Sequence, residues 1–417
     1  MKAPHRVLLP GTGGELLRRE LRIAFTRLGL PAEEVHPDRL HDTGSPESLE
    51  ARLGEGPVLL FSVNFQGLGR LRRCLDLAAR NGSIIAVWFA DNPWNILAGV
   101  RDKAWKSLPL FVTDDSFVGP LTAAGASNVH HLPLAACPEL FAPDAGRDLT
   151  FPAPADLAPF VFVGRSAFPG RDAFFAGLTL PDDLEKEARA LLRNAGPVRP
   201  DLLWWQSALG LSPASFWPGK KARLPALGAE RANLFHRARC LAAAAEIGSA
   251  FGTMPPGTTR DTSAESPEGK APLPPAADTI GLDLFGDTGW RTILPPGARL
   301  RPPVDYYARL PGIYAAARFN ICLTGLQLPH GLNQRHFDVW AAGGLLLSDA
   351  TPGLELFPEE LTRAVTFRTT RDMAMLAARL ESGATRDMLV ADWQRCILRE
   401  HCYAHRAQTI LEKLRMG

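Results

Sequence analysis

Twice along this chain, short unbroken apolar runs alternate with segments of helical period, and that double alternation restricts the fold more than any other feature. The first series comprises Arg6–Leu9, Val58–Val63, Ser83–Phe89, Leu108–Thr113 and Asn128–Leu132, with helical stretches near 15–28 and 68–81. A strand that is apolar on both faces must be covered on both faces, which is the condition of a parallel sheet flanked by helices. The second series begins at Pro159–Arg165 and resumes at Thr279–Phe285, Phe319–Leu323, Gly344–Leu347 and Ala364–Phe367. Between these lie a helical insertion over 182–249 and a low-complexity loop rich in Pro, Ala and Thr over 253–278, whose composition cannot bury a core. One long helical stretch, about 372–415, closes the chain. The expected architecture is α/β: two doubly wound Rossmann-like domains facing a cleft, 1–135 and 159–395, joined by a linker over 136–158. The end of that last helix, 396–417, is expected to pack back across the linker.

Composition removes several function classes. With 417 residues, 46% hydrophobic and 22% charged, the chain can bury two sizeable cores. A net charge of +2 gives no footprint for nucleic acid. The six cysteines (74, 137, 240, 322, 396 and 402) form no Cys-x-x-Cys pair, so neither a disulfide framework nor a zinc site is expected. No stretch approaches the roughly 18 apolar residues of a membrane span, and the first apolar run is too short for a signal peptide. A cytoplasmic protein with no transmembrane segment is expected.

The most informative stretch is His330–Asp349, HGLNQRHFDVWAAGGLLLSD. It follows the strand Phe319–Leu323 as a polar loop, passes Asp338 in a short helix, and closes on Gly343-Gly344 before another buried strand. Ligands of open α/β sheets bind at the carboxyl ends of strands, against helix N-termini whose free N–H groups favour anions. A helix beginning near Gly331 would offer such groups to phosphate, Asp338 could take both hydroxyls of a ribose, and Gly343 would end the helix at positive φ.

This stretch resembles the second-domain pattern of GT-B glycosyltransferases of the group 1-like type, E-G-F-G-x-x-x-x-E-A-M-A-x-G. His330-Gly331 meets its first Glu-Gly, Asp338 its second Glu, and Ala341-Ala342-Gly343 its A-x-G. It is more similar still to the CgeB-type (spore maturation) glycosyltransferases, G-x-N-x-R-x-F-[DE]-x-x-A-x-G-G-x-L-L-x-D. His401–Arg406, Phe61–Phe65 and Trp88–Pro93 also look like segments of that family. The likeness is specific over about 300–417, weaker over 58–165 and absent over 180–275. It implies a GT-B fold, a nucleotide-sugar donor in the second domain, no cofactor, and a protein or glycan acceptor of surface, spore or flagellar type. His330 departs from the pattern, which has Glu there, so the sugar contact of that Glu does not transfer, although a His can still donate to sugar or phosphate oxygen.

Further candidates follow from the same strand-end logic. Gly164 and Arg165 end the first strand of the second domain, where the resemblance to GT-B enzymes implies a Gly for backbone approach and an Arg for pyrophosphate; Arg165, and Arg171 as a second cation, read either so or as surface loop arginines. Asn333 and Arg335 either contact phosphate or sugar or brace the loop. Gly11, Gly13 and Gly14 follow the first strand, fit neither a Walker loop nor a dinucleotide fingerprint, and read as a cleft loop or a plain turn. Asp91, after the strand ending at Phe89, is either a general base on an acceptor hydroxyl or an N-cap for the helix after Pro93. No Asp-x-Asp stands where a metal-diphosphate site would want one, so metal-independent transfer is expected. The catalytic set is Asp91, Arg165 and His330. A nucleotide-sugar epimerase of the same fold and a non-catalytic nucleotide-sugar-binding protein remain as alternatives.

Overall fold

The computed structural model describes residues 4–12, 16–42, 45, 48–143, 153–211, 219–252 and 279–415. Its strands are β1 (Val7–Pro10), β2 (Ala32–Val35), β3 (Leu59–Val63), β4 (Ile84–Phe89), β5 (Pro109–Val112), β6 (Asn128–His131), β7 (Phe160–Val163), β8 (Leu282–Phe285), β9 (Ala298–Arg301), β10 (Phe319–Cys322), β11 (Leu346–Asp349) and β12 (Thr366–Phe367). They form two six-stranded sheets, ordered β2-β1-β3-β4-β5-β6 and β12-β11-β10-β7-β8-β9. Every pairing is parallel, as the two series of apolar runs require. These are the two doubly wound parallel sheets expected from the sequence.

β2 and β9 escape sequence reading. Their sequences, Ala-Glu-Glu-Val and Ala-Arg-Leu-Arg, lie at sheet edges, where one side meets solvent and no apolar run is needed. The single closing helix also needs correction. The chain forms Thr370–Arg379, Ala384–Glu400 and Tyr403–Lys413, broken by Gly383 at φ 92° and by the extended Cys402. The last of these helices packs on the first-domain helix Arg18–Arg27. Ala136 N donates to His401 O at 2.8 Å, Tyr403 N donates to Ala136 O at 2.9 Å, and Tyr403 packs edge-on to Trp88. Arg406 grips Pro133 O and Leu134 O at 2.8 and 3.1 Å, and its burial lowers its pKa to about 10. The chain's end thus staples both domains at the crossover.

The long helix Leu224–Gly252 crosses back to β8 antiparallel to the strands. Its glycine Gly248 lies so close to Gly281, before β8, that a Cβ would fall 2.1 Å from Gly281 O. Only two facing glycines permit that approach. At about 1.5 Å per residue the helix runs about 43 Å, whereas a four-residue strand covers about 13 Å. Its Arg237 already reaches Arg165 O (3.2 Å), just past the end of β7, and His236 reaches Asp349 (2.9 Å) at the end of β11. Residues 224–236 therefore overhang the carboxyl edge of the second sheet.

Candidate functional site

That overhang and the carboxyl edge form a cationic pocket wall. Arg237 bends its guanidinium to the Arg165 carbonyl, and Arg335, from the helix Arg335–Ala341, lies with Nη1 3.7 Å from where a Gly164 side chain would begin. A Cβ at Gly164 would also meet the Phe162 ring at 3.1 Å, so glycine there keeps the approach open. Both arginines bury an Nε with no hydrogen-bond partner among the described residues. Arg335 is held over the Phe162 ring, 5.6 Å from its centroid, a contact that positions a cation without neutralising it. Burial, and then the charge of Arg335, lowers the Arg237 pKa. Two neighbouring arginines, each with a buried and unpartnered Nε beside a strand-end glycine, form a place where an anion would supply the missing acceptors.

Around this pair the edge is polar and rigid. Asp349, 3% exposed, accepts from Thr324 N (2.8 Å), Thr324 Oγ1 (3.0 Å), Arg199 (3.2 Å) and His236 (2.9 Å). Burial alone would lower the His236 pKa, but Cys240 and Asp349 raise it to about 9, so the imidazole is held as a cation. Cys322, at the end of β10, donates to Asn333 Oδ1 at 2.9 Å, and Asn333 Nδ2 donates to Leu323 O at 3.2 Å. Asn333 therefore braces the loop, one of the two roles open from sequence.

Other expected site residues are placed differently. The helix starts at Arg335, not near Gly331. The N–H groups of His330 and Gly331 both donate to Asp114 Oδ2 of the first domain, at 2.9 and 3.0 Å, and His330 Nδ1 sits 2.8 Å from Asp115. This is an interdomain latch, with a carboxylate where a phosphate was expected. Asp114, Asp115 and His330 bring three potential cation ligands within 4.8 Å, and Asp114 already accepts three amide N–H groups, two on Oδ2 and that of Ser116 on Oδ1. Asp338 is 1% exposed: Tyr306 donates to one carboxylate oxygen and Gln334 Nε2 to the other, at 2.9 Å for the latter. Burial raises its pKa well above 3.8. Gly343 closes the helix at φ 78°, as its position required. Arg165 is exposed, and Arg171 pairs with its neighbour Asp172 at the margin of the wall, beside Glu230.

Across the cleft, Asp91 is free of the capping role. Asn92 caps the helix Pro93–Leu97 instead, accepting from Trp94 N at 2.9 Å. The Asp91 carboxylate is open to solvent but crowded by protein, which raises its pKa above 3.8 against the opposing hydrogen bond of Asn64 (2.7 Å). Asn64 and Phe65 hold consecutive left-handed conformations, φ 53° and 67°, and the Asn64 Oδ1 accepts from Ala90 N and Asp91 N. Such strain is kept where the surroundings over-determine the chain. Gly11 ends β1 and donates to Val35 O at 2.9 Å, whereas Gly13, Gly14 and the loop 253–278 lie outside the described residues. Gln327 spans the cleft: its Oε1 accepts from Asn92 (3.2 Å) and Asn95 (3.4 Å), and its Nε2 donates to Ala226 O (2.7 Å) on the overhang.

Arg237 was not found from sequence, although a signal existed. On the helix Leu224–Gly252, Arg237 shares a face with Leu241, Ala244 and Gly248, which pack on the sheet, so it marks where the apolar part of that stripe gives way to polar residues.

Residues 271–412 match a family model described as Glycosyl transferase-like. Among solved structures, HepE of Anabaena in complex with UDP-glucose aligns over 99% of this chain and 100% of its own, at 11% identity and a TM-score of 0.47. BGT of T4 phage in complex with its UDP-glucose substrate aligns over 98% and 99%, at 8% identity and 0.48. The apo structure of OtsA aligns over 98% and 99%, at 11% identity and 0.47. No curated protein matches the sequence.

Proposed function

We propose that this chain is a glycosyltransferase that moves a sugar from a nucleoside-diphosphate donor to an acceptor hydroxyl, in the cytoplasm and without a metal cofactor. One observation carries the reading: Arg237 and Arg335 each bury an Nε without a partner among the described residues, and both are set against Gly164 and Arg165 at the carboxyl edge of a parallel sheet. A diphosphate supplies the missing acceptors and charge, and Arg165 and Arg171 extend the cationic surface. The family match over 271–412 takes in Arg335 and Asp338, while Gly164, Arg165 and Arg237 lie outside it. In the reaction, the acceptor oxygen bonds to the anomeric carbon as the bond from that carbon to phosphate oxygen breaks. Asp91 takes the hydroxyl proton, and the electron pair leaves on the diphosphate, where fixed guanidinium groups meet the growing charge.

Asp338 takes the ribose hydroxyls in this reading, with the donor displacing Tyr306 from its carboxylate. The latch of Asp114 on His330 and Gly331 keeps the cleft closed over the sugar. The motif over Gly331–Asp349 favours a CgeB-type enzyme with a protein or glycan acceptor. The test is a thermal-shift and calorimetric screen of UDP, dTDP, GDP, ADP and CMP and their sugars. A nucleotide at 100 times its Kd adds about 2.7 kcal/mol of stability. Failure of every nucleotide to stabilise or bind the protein would refute the reading.

A further inference from the structure

The overhang carries more than Arg237. Along it, Glu230, Asn233 and Arg237 stand at i, i+3 and i+7, one stripe of the helix. Below the carboxyl edge that stripe continues as Leu241, Ala244 and Gly248 and packs dry on the sheet. Above the edge it is polar and still covered. Asn233 is only 4% exposed, yet its Oδ1 has no hydrogen-bond partner among the described residues. Glu230 is half-buried, and burial raises its pKa against the opposing charges of Arg237 and Arg171 and a hydrogen bond from Gln327. A buried amide oxygen left without a donor costs free energy. A hydroxyl from a bound molecule would supply the donor it lacks.

The order of groups fixes what that something is. Asp338 lies one turn along its helix from Arg335, Arg335 stands near Arg237, and Asn233 is one turn beyond Arg237 toward Gln327, which reaches Asn92 next to Asp91. The positions run from ribose, through diphosphate, to Asn233 and Glu230, and then to the proposed base. The group between diphosphate and base is the transferred sugar. The His330 side chain is turned to Asp115, so the loop there leaves the sugar without that partner.

Resting on the donor site proposed above, we infer that Asn233, with Glu230 beside it, reads the hydroxyl groups of the transferred sugar and sets the donor's sugar specificity. The sugar hydroxyl donates to Asn233 Oδ1, and Glu230 accepts from or donates to a neighbouring hydroxyl. Asn233 is a specificity residue, since it touches neither the anomeric carbon nor the leaving oxygen.

The test compares UDP with UDP-glucose, UDP-galactose and UDP-N-acetylglucosamine by calorimetry, or the matching set for whichever nucleotide the wild type selects. Asn233→Leu keeps the volume and removes the acceptor, whereas Asn233→Asp keeps an acceptor oxygen. The expected result is an approximately tenfold loss of affinity for the preferred nucleotide sugar in Asn233→Leu. Bare nucleotide should change less than twofold, and Asn233→Asp should retain the preference among sugars. Should Asn233→Leu fail to fold, Asn233→Ser, which withdraws the polar atom from the wall, takes its place. Equal losses for nucleotide and nucleotide sugar, or no loss for either, would overturn the inference while leaving the donor site standing. A wild type that binds neither would remove both.

Discussion

Replacing Arg237 with Met separates a ligand-binding arginine from a structural one by the sign of two effects. Met keeps most of the apolar stem, so packing on the overhang is preserved. In the free protein the change removes one hydrogen bond, to Arg165 O at 3.2 Å, worth about 1 kcal/mol. It also removes a desolvated charge that Arg335 opposes, which offsets that loss. Loss of the cation near Glu230 trims that gain. The free variant should therefore be as stable as wild type or slightly more so. With donor bound the balance reverses, because a hydrogen bond to a charged phosphate is worth about 1.5–3 kcal/mol. That corresponds to a rise in Kd of about 10–150-fold. Differential scanning calorimetry of the free protein and titration with nucleoside diphosphate measure the two quantities. A lower Tm with unchanged Kd would show that Arg237 only ties the helix to the Gly164–Arg165 turn, and the anion site would lose its main support.

Three further outcomes can be checked independently. Asp91→Asn should lower transfer by about 10²–10⁴-fold, as for loss of a general base, with donor affinity unchanged. In wild type the rate should fall as pH drops through the raised pKa of Asp91, above 3.8; a pH profile without that limb argues against Asp91 as the base. His236 has its pKa raised from 6.5 to about 9. Its bond to Asp349 therefore stabilises the fold fully below pH 6.5, and that contribution is lost as pH rises through about 9; urea denaturation across this window should lose that dependence in His236→Gln. Gly248→Ala places a Cβ 2.1 Å from Gly281 O, a backbone clash that should cost about 1–3 kcal/mol; wild-type stability in the same melt would mean that the helix and β8 can separate freely.

Much of the fold could be read from sequence because the signals were local. Leu59–Val63 and Phe319–Cys322 are buried along their whole length, so their apolar character announced strands covered on both faces. β2 and β9 were silent for the converse reason, since edge strands need no apolar run. The break before Tyr403 was hidden because the flanking residues continue a helical pattern. Only contact with Ala136 across the crossover makes an extended residue better there than another helical turn.

The site divides along the same line. Sequence alone determined two parallel sheets, a strand-end glycine beside Arg165, the tight closure at Gly343, and a carboxylate, Asp91, after a buried strand. Each is a property of a few consecutive residues, fixed by backbone geometry and burial. The tertiary structure alone decided that Arg237, about 70 positions from Gly164, reaches its strand edge. It also decided that Asp114 holds the amides of His330 and Gly331. It covers Asp338 with Tyr306. These contacts depend on how far a 29-residue helix projects past four-residue strands and how the two domains meet. No local pattern encodes such distances, because a charge on a helix face reads the same in sequence whether solvent or a ligand lies opposite.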